Sequence, residues 1–150
     1  MVDNIFKKFK FEIIFGAIAL LVILLDQLTK YLILDYKPNL NLLIITIHLI
    51  QNTGAGFGIL KNQAFFLGII SLCAALLVLF YYHKIEKQYF PQILFGMFLG
   101  GVIGNLIDRW FRGFVVDFLD LPFWPAFNVA DACITLSVIG LVIWYWKKRE

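Results

Sequence analysis

The sequence predicts an all-α membrane protein, with four transmembrane helices and a small β-containing extracytoplasmic loop region. The whole chain, residues 1–150, reads as one four-helix domain. Three observations carry that reading. First, 61% of the residues are hydrophobic, only 15% are charged, and mean hydropathy is +0.84. Ordinary soluble chains carry about 25% charged residues, and a domain of this size has too little interior to hide so much apolar surface. Second, the chain holds four long apolar runs, each near the ~20 residues that cross a bilayer core of about 30 Å. Third, the residues that do not belong in lipid gather at one end of each run, so antiparallel packing brings them to one membrane face.

The first run, Phe11–Leu34, has a basic start and an apolar core like a cleavable leader. No small-residue cleavage site follows; the chain continues into Asp26-Gln27-Leu28-Thr29-Lys30, which marks a retained span. Residues 36–61 come next. Leu42–Ile50 is rich in β-branched residues and is followed by Gly54-Ala55-Gly56-Phe57-Gly58, so one or two short strands on the outer membrane surface are expected. The second run is Gln63–Tyr82, and a short basic loop, His83–Tyr89, leads to the third, Phe90–Ile107. Gly96, Gly100 and Gly104 form a small-xxx-small ladder there, suited to close approach of another helix. The link Arg109–Ala126, with Gly113, Pro122 and Pro125, reads as irregular, with a short strand around Phe114–Phe118. The fourth run is Phe127–Trp146.

Basic residues set the orientation. Lys7, Lys8, Lys10, Lys84, Lys87, Lys147, Lys148 and Arg149 fall on one side, and Lys37, Lys61, Arg109 and Arg112 on the other. The positive-inside rule puts both termini in the cytoplasm. Trp124, Trp144, Trp146, Tyr81 and Tyr82 lie near span ends, as interfacial aromatics do. A net charge of +3 without one basic patch argues against nucleic acid as a partner. Cys73 and Cys133 both fall in apolar runs and read as core hydrophobes.

Ionisable groups at membrane depth are expensive and mark function by default. At 1.5 Å per residue, Asp26 lies ~22 Å into the first span and Asp131 ~6 Å into the fourth, coming from outside. Asn105 matches Asp26 in depth, so one polar layer in the outer leaflet is expected. Asp26 and Lys30 are spaced i, i+4 and share a helix face, as an ion pair with Lys30 snorkelling outward, as substrate contacts, or as both. Asn128-Val129-Ala130-Asp131 resembles a helix cap followed by an acid. Capping alone would explain it, except that Asp131 is then an anion at lipid depth. Asp117, in Phe114-Val115-Val116-Asp117-Phe118, has apolar neighbours unlike those of a solvated loop acid, whereas Asp120 reads as solvated. Two carboxylates in a poorly hydrated site share a proton, one then serving as base on a water and the other as acid on a carbonyl.

The remaining residue types exclude the alternatives. Ser71 and Ser137 are mid-span and far from any His, and His48 and His83 fall on opposite membrane sides. A Ser–His pair or a His-based zinc site does not fit, and neither a metal nor a cofactor is expected. A transporter would continue its polar path to the cytoplasmic side, but Phe11–Leu25 and Leu136–Trp146 are almost wholly apolar. A passive scaffold leaves the acidic pair unexplained.

Asp26-Gln27-Leu28-Thr29-Lys30, Asn52-Thr53-Gly54-Ala55-Gly56-Phe57-Gly58, Gly100-Gly101-Val102-Ile103-Gly104-Asn105-Leu106-Ile107-Asp108-Arg109, Val115-Val116-Asp117-Phe118 and Phe127-Asn128-Val129-Ala130-Asp131 occur in this order. Together they closely resemble the motifs of the bacterial lipoprotein signal peptidase (signal peptidase II) family. The resemblance implies an inner-membrane aspartic endopeptidase that removes the signal peptide of a prolipoprotein before its diacylglyceryl-modified cysteine. It implies Asp117 and Asp131 as the catalytic dyad, and Asp26, Lys30, Asn52, Asn105, Arg109 and Asn128 as substrate-binding positions around it. Membrane lipid and the lipidated precursor are the expected partners, with the chain acting as a monomer. Gly56 stands where the family often has Ala, and the loop carrying Asp117 is short.

Overall fold

The computed structural model describes residues 2–56 and 59–150, with side chains described from Phe9 onward. Phe57 and Gly58, and the side chains of Lys7 and Lys8, lie outside the described residues. The elements in chain order are α1 (Val2–Tyr36), β1 (Asn39–Leu42), β2 (Ile45–Asn52), α2 (Ala64–Phe80), α3 (Tyr89–Phe111), β3 (Val115–Leu121), β4 (Trp124–Phe127) and α4 (Val129–Lys147). A 3₁₀ turn, Tyr82–Lys84, follows α2.

Among the described residues, three helices are long and apolar enough to cross a membrane: Phe9–Tyr36, Tyr89–Phe111 and Val129–Lys147. The expected span Gln63–Tyr82 is shorter than the sequence reading. It is α-helical only over the 17 residues Ala64–Phe80, because Gln63 has non-helical dihedrals and the chain tightens into the 3₁₀ turn at Tyr82. α1 breaks its helical dihedrals at Phe9.

Leu20, Leu24 and Leu28 of α1, Leu76 and Phe80 of α2, and Leu136 and Ile143 of α4 are exposed. Such rows of bare aliphatic side chains suit lipid as the solvent. α3 is the most enclosed helix, and the glycine ladder explains why. A Cβ on Gly96 would meet the Phe15 carbonyl oxygen at 2.8 Å, and one on Gly100 would meet that of Ala19 at 2.6 Å. On a neighbouring stripe a Cβ on Gly101 would meet the Ala130 carbonyl oxygen at 2.6 Å. The small residues thus let α1 and α4 approach α3 on two adjacent faces. α2 packs chiefly on α3 alone, and a Cβ on Gly68 would collide with the Trp110 indole. Cys73 is exposed on α2 rather than being part of a core, whereas Cys133 is half-buried; both are free.

The strands form one antiparallel sheet in the order β1-β2-β3-β4. The second outer link is therefore not irregular: it is a hairpin, with Leu119 opposite Phe127 and Leu121 opposite Trp124. Pro125 fits because β4 is the edge strand, where a missing N–H is tolerated. In the middle, Asn52 lies opposite Val115 and Ile50 opposite Asp117. Val116 and Phe118 pack with Ile33 of α1, which seats the sheet on the end of the bundle where the polar residues collect. Leu43, in the turn between β1 and β2, has a φ of 54°, a left-handed conformation that favours glycine.

Candidate active site

α1, α3, the start of α4, β2 and β3 meet at this end of the bundle and together build a layered, continuous polar network. The innermost layer is an ion cluster. Lys30 Nζ donates to Asp26 Oδ2 at 2.8 Å, Asp108 Oδ2 at 2.9 Å and Asn105 Oδ1 at 2.9 Å. All three ammonium N–H donors are used. Lys30, Asp26 and Asp108 are 0% exposed, so Lys30 points into the bundle and does not snorkel outward. With no surface of their own, Asp26 and Lys30 hold the site together rather than lining it. Asp26 Oδ1 accepts the backbone N–H of Ala130 at 2.9 Å, tying α1 to the first turn of α4. Asp108 Oδ2 accepts the backbone N–H of Val116 at 3.0 Å, tying α3 to β3. Arg112 and Gln27 complete the partners of Asp108. The i, i+4 spacing of Asp108 and Arg112 is the sequence signal for this role, which the motif alone does not carry.

The next layer is three asparagines, each oriented by an obligatory donor. Asn105 Oδ1 must face the Lys30 ammonium, so its Nδ2 donates to Asp131 Oδ1 at 2.8 Å. Asn128 Oδ1 accepts the backbone N–H of Asp131 at 2.9 Å, so its Nδ2 donates to Asp117 Oδ1 at 2.8 Å. Asn52 Oδ1 accepts the backbone N–H of Gly54 at 2.9 Å, leaving its Nδ2 for Asp117 Oδ2 at 2.9 Å. Register explains the last contact. Asn52 and Asp117 are diagonal neighbours on one face of the β2–β3 pair, within reach of each other.

Asp117 and Asp131 are thus brought together from a strand and a helix. They share Asn128 as a partner, and both line a cavity of about 180 Å³ with Asn52, Gly56, Arg109 and Phe127. The capping reading of Asn128 and Asp131 also holds: Asp131 Oδ2 accepts the Asn128 backbone N–H at 3.3 Å, completing a capping box. One pair of residues therefore serves both purposes. Burial, and then the neighbouring Asp131 charge, push the Asp117 carboxyl up to about 7 against the donors Asn52 and Asn128.

That value sets a pH dependence. Below about pH 7 Asp117 holds a proton, and as pH rises through that value the proton is lost and two like charges face each other. Proton-sharing catalysis should therefore fall on the alkaline side with a midpoint about 7, read as kcat/KM against pH in vesicles. A profile flat from about pH 6 to 9 would exclude a shared proton at Asp117.

Arg109 does not pair with Asp108, whose oxygens are already taken. Its Nη1 donates to Ser71 Oγ of α2 at 3.3 Å, and its Nε is buried with no partner. A guanidinium with an unpartnered Nε therefore belongs to a residue lining the same cavity as the acids. Asp120 is not simply solvated: its Oδ2 lies 3.1 Å from His48 Nε2 on β2. Among the described residues no group of His, Cys, Asp and Glu is arranged to hold a metal ion.

Two acids in one cavity, with fixed amide donors around them, at the end of a membrane-crossing bundle, define the class: a membrane protein with the groups for acid–base hydrolysis. The comparisons with known proteins supply the family. Residues 18–147 match the family model described as signal peptidase (SPase) II. A lipoprotein signal peptidase of Moorella thermoacetica is 41% identical over 139 residues, covering 89% of this chain and 91% of that protein. One from Halothermothrix orenii is 36% identical over 138 residues, covering 89% and 95%. A bacterial membrane enzyme solved by the in meso method at 2.3 Å resolution superposes with a TM-score of 0.81 at 32% identity, over 89% of this chain and 88% of that one. A second such enzyme, at 1.9 Å, gives a TM-score of 0.74 at 33% identity, over 85% and 88%. The chain belongs to the signal peptidase II family.

Proposed function

We propose that this chain is an aspartic endopeptidase of the bacterial inner membrane that removes the signal peptide of prolipoproteins, cutting before the diacylglyceryl-modified cysteine at Asp117 and Asp131. The observation that carries the catalytic assignment is the pair of carboxylates in one cavity, each held by amide donors whose orientation is imposed from behind. In the resting state one carboxylate is protonated and the other is charged. The charged one takes a proton from a water, whose oxygen attacks the scissile carbonyl carbon. The protonated one gives its proton to the carbonyl oxygen. Collapse of the tetrahedral species then passes a proton to the leaving amine and returns the pair to its starting state.

The other residues divide by what they touch. Asn52 and Arg109 border the cavity, and their donors suit substrate carbonyls. Arg109 has the clearest claim, because it borders the cavity and its Nε has no partner of its own. Asn105 and Asn128 are buried and act on the reaction through the acids they orient. Lys30 holds Asn105 in turn, and Asp26 anchors Lys30 and the first turn of α4. No cofactor is required, and one chain supplies every group used.

The reading includes four spans. α2 is ~25 Å long at 1.5 Å per residue, a modest mismatch that a bilayer absorbs by thinning. It also places both termini in the cytoplasm and the dyad near the outer face, on the eight-to-four division of basic residues. Cysteine labelling from each side of intact membrane vesicles tests this. Position 61 should react only from outside, and positions 84 and 147 only from inside. Labelling of position 61 from the cytoplasmic side would overturn the orientation.

A further inference from the structure

We propose that the two hairpin tips at the far end of the sheet, Leu42–Ile44 and Phe123–Trp124, insert among the acyl chains of the outer leaflet and hold the sheet at a fixed depth. The naming of the leaflet rests on the orientation given above; the insertion does not. The register puts Thr46 opposite Asp120 and Leu121 opposite Trp124, so both turns lie at the same end of the sheet. Asp117 lies toward the other end, beside the pairing of Asn52 with Val115, while Trp124 also borders the cavity that holds both acids. Leu42, Ile44, Phe123 and Trp124 are exposed, and Leu43 is completely so, at 107%. No charged residue stands between Lys37 and His48.

Turn chemistry sharpens the point. The first position of the Leu43–Ile44 turn has a positive φ, which glycine adopts freely and leucine does not. In water this leucine is unfavourable twice over, for its backbone and for its bare side chain. In hydrocarbon the second cost becomes a gain. The lipid assignment follows from continuity. Phe123 and Trp124 share a groove of about 320 Å³ with Asp131, Ala132, Thr135 and Leu136 of α4, so the groove runs from the dyad to the exposed side of that helix. Leu136 is an exposed residue of a membrane-crossing helix. That end of the sheet is therefore level with apolar surface that lipid already covers. β2 and β3 carry Asn52 and Asp117, so the depth of the tips sets the depth of the dyad relative to a substrate that is itself embedded in the membrane.

The test uses the full chain with Cys73 and Cys133 changed to Ala, in vesicles of phosphatidylethanolamine and phosphatidylglycerol. Nitroxide labels are placed at Leu43→Cys, Phe123→Cys and, as an aqueous control, Lys61→Cys. Labels at 43 and 123 should be relaxed several-fold more by oxygen than by a water-soluble nickel chelate, with the order reversed at 61. Chelate access at 43 and 123 matching that at 61 overturns the proposal. So does dipolar broadening between labels at 43 that disappears on dilution with unlabelled chain, since a second copy would then cover the tip. A second measurement uses Leu43→Gly with Ile44→Asn, a pair that suits the turn better. If the tip were only a turn, melting temperature would hold or rise and kinetics would not change. Anchoring predicts an undiminished melting temperature with KM for a lipidated precursor raised several-fold in vesicles. An unchanged KM overturns the role of the tips in setting the depth of the site.

Discussion

Asp117→Asn and Asp131→Asn should each lower kcat by roughly a thousandfold or more, the scale of a lost general acid–base group. An amide neither holds the shared proton nor takes one from water. Each substitution also leaves one oxygen where there were two. Asp117 accepts from both Asn52 and Asn128, so an amide nitrogen there would face a donor. Melting temperature must therefore be measured beside turnover of a lipidated precursor. Folded variants with negligible turnover are the expected result. Turnover within about tenfold of the parent by a folded variant would remove that residue from the chemistry. Asp120→Asn is the control: it breaks the contact with His48 but none within the cavity, and most activity should persist.

Lys30→Met should produce the largest loss of stability. The methionine fills similar volume but leaves Asp26 and Asp108 as two carboxylates at 0% exposure without the ammonium between them. Removing one partner from a buried ion cluster typically costs about 3–5 kcal/mol. A chain that fails to accumulate would be uninformative alone, so the variant is paired with Lys30→Met, Asp26→Asn, Asp108→Asn, which removes the stranded charges. Thermal unfolding in detergent should show the single variant well below the parent and the triple variant partly restored. A single variant as stable as the parent would mean that the cluster contributes nothing to the fold.

Much of this arrangement was legible before any coordinates. Lipid demands long apolar runs, so α1, α3 and α4 announce themselves, and a glycine every four residues marks the close faces of α3. Asp117 and Asp131 stood out because acids among apolar neighbours need a reason. Other features were not legible, for physical reasons. The i, i+4 spacing of Asp26 and Lys30 fixes a shared face but not whether that face turns to water or to the interior. Pro122 and Pro125 read as breakers, yet a turn and an edge strand accommodate both, so β4 was hidden. The separation of Asp108 from Arg109, one facing the ion cluster and one facing the cavity, depends on which helices flank α3. The partnership of Asp120 with His48 required the β2–β3 register, which a single strand cannot reveal.

The double duty of Asn128 has a consequence for how the enzyme can fail. Its side chain caps α4 through Asp131 and at the same time steers Asp117. If the first turn of α4 frays, the cap opens, Asp131 leaves its position, and Asp117 loses a donor in the same motion. Asn52 alone then holds Asp117. A helix–coil step a few residues long would therefore disarm both acids together, and slow amide exchange at Asp131 would report how rarely that turn opens.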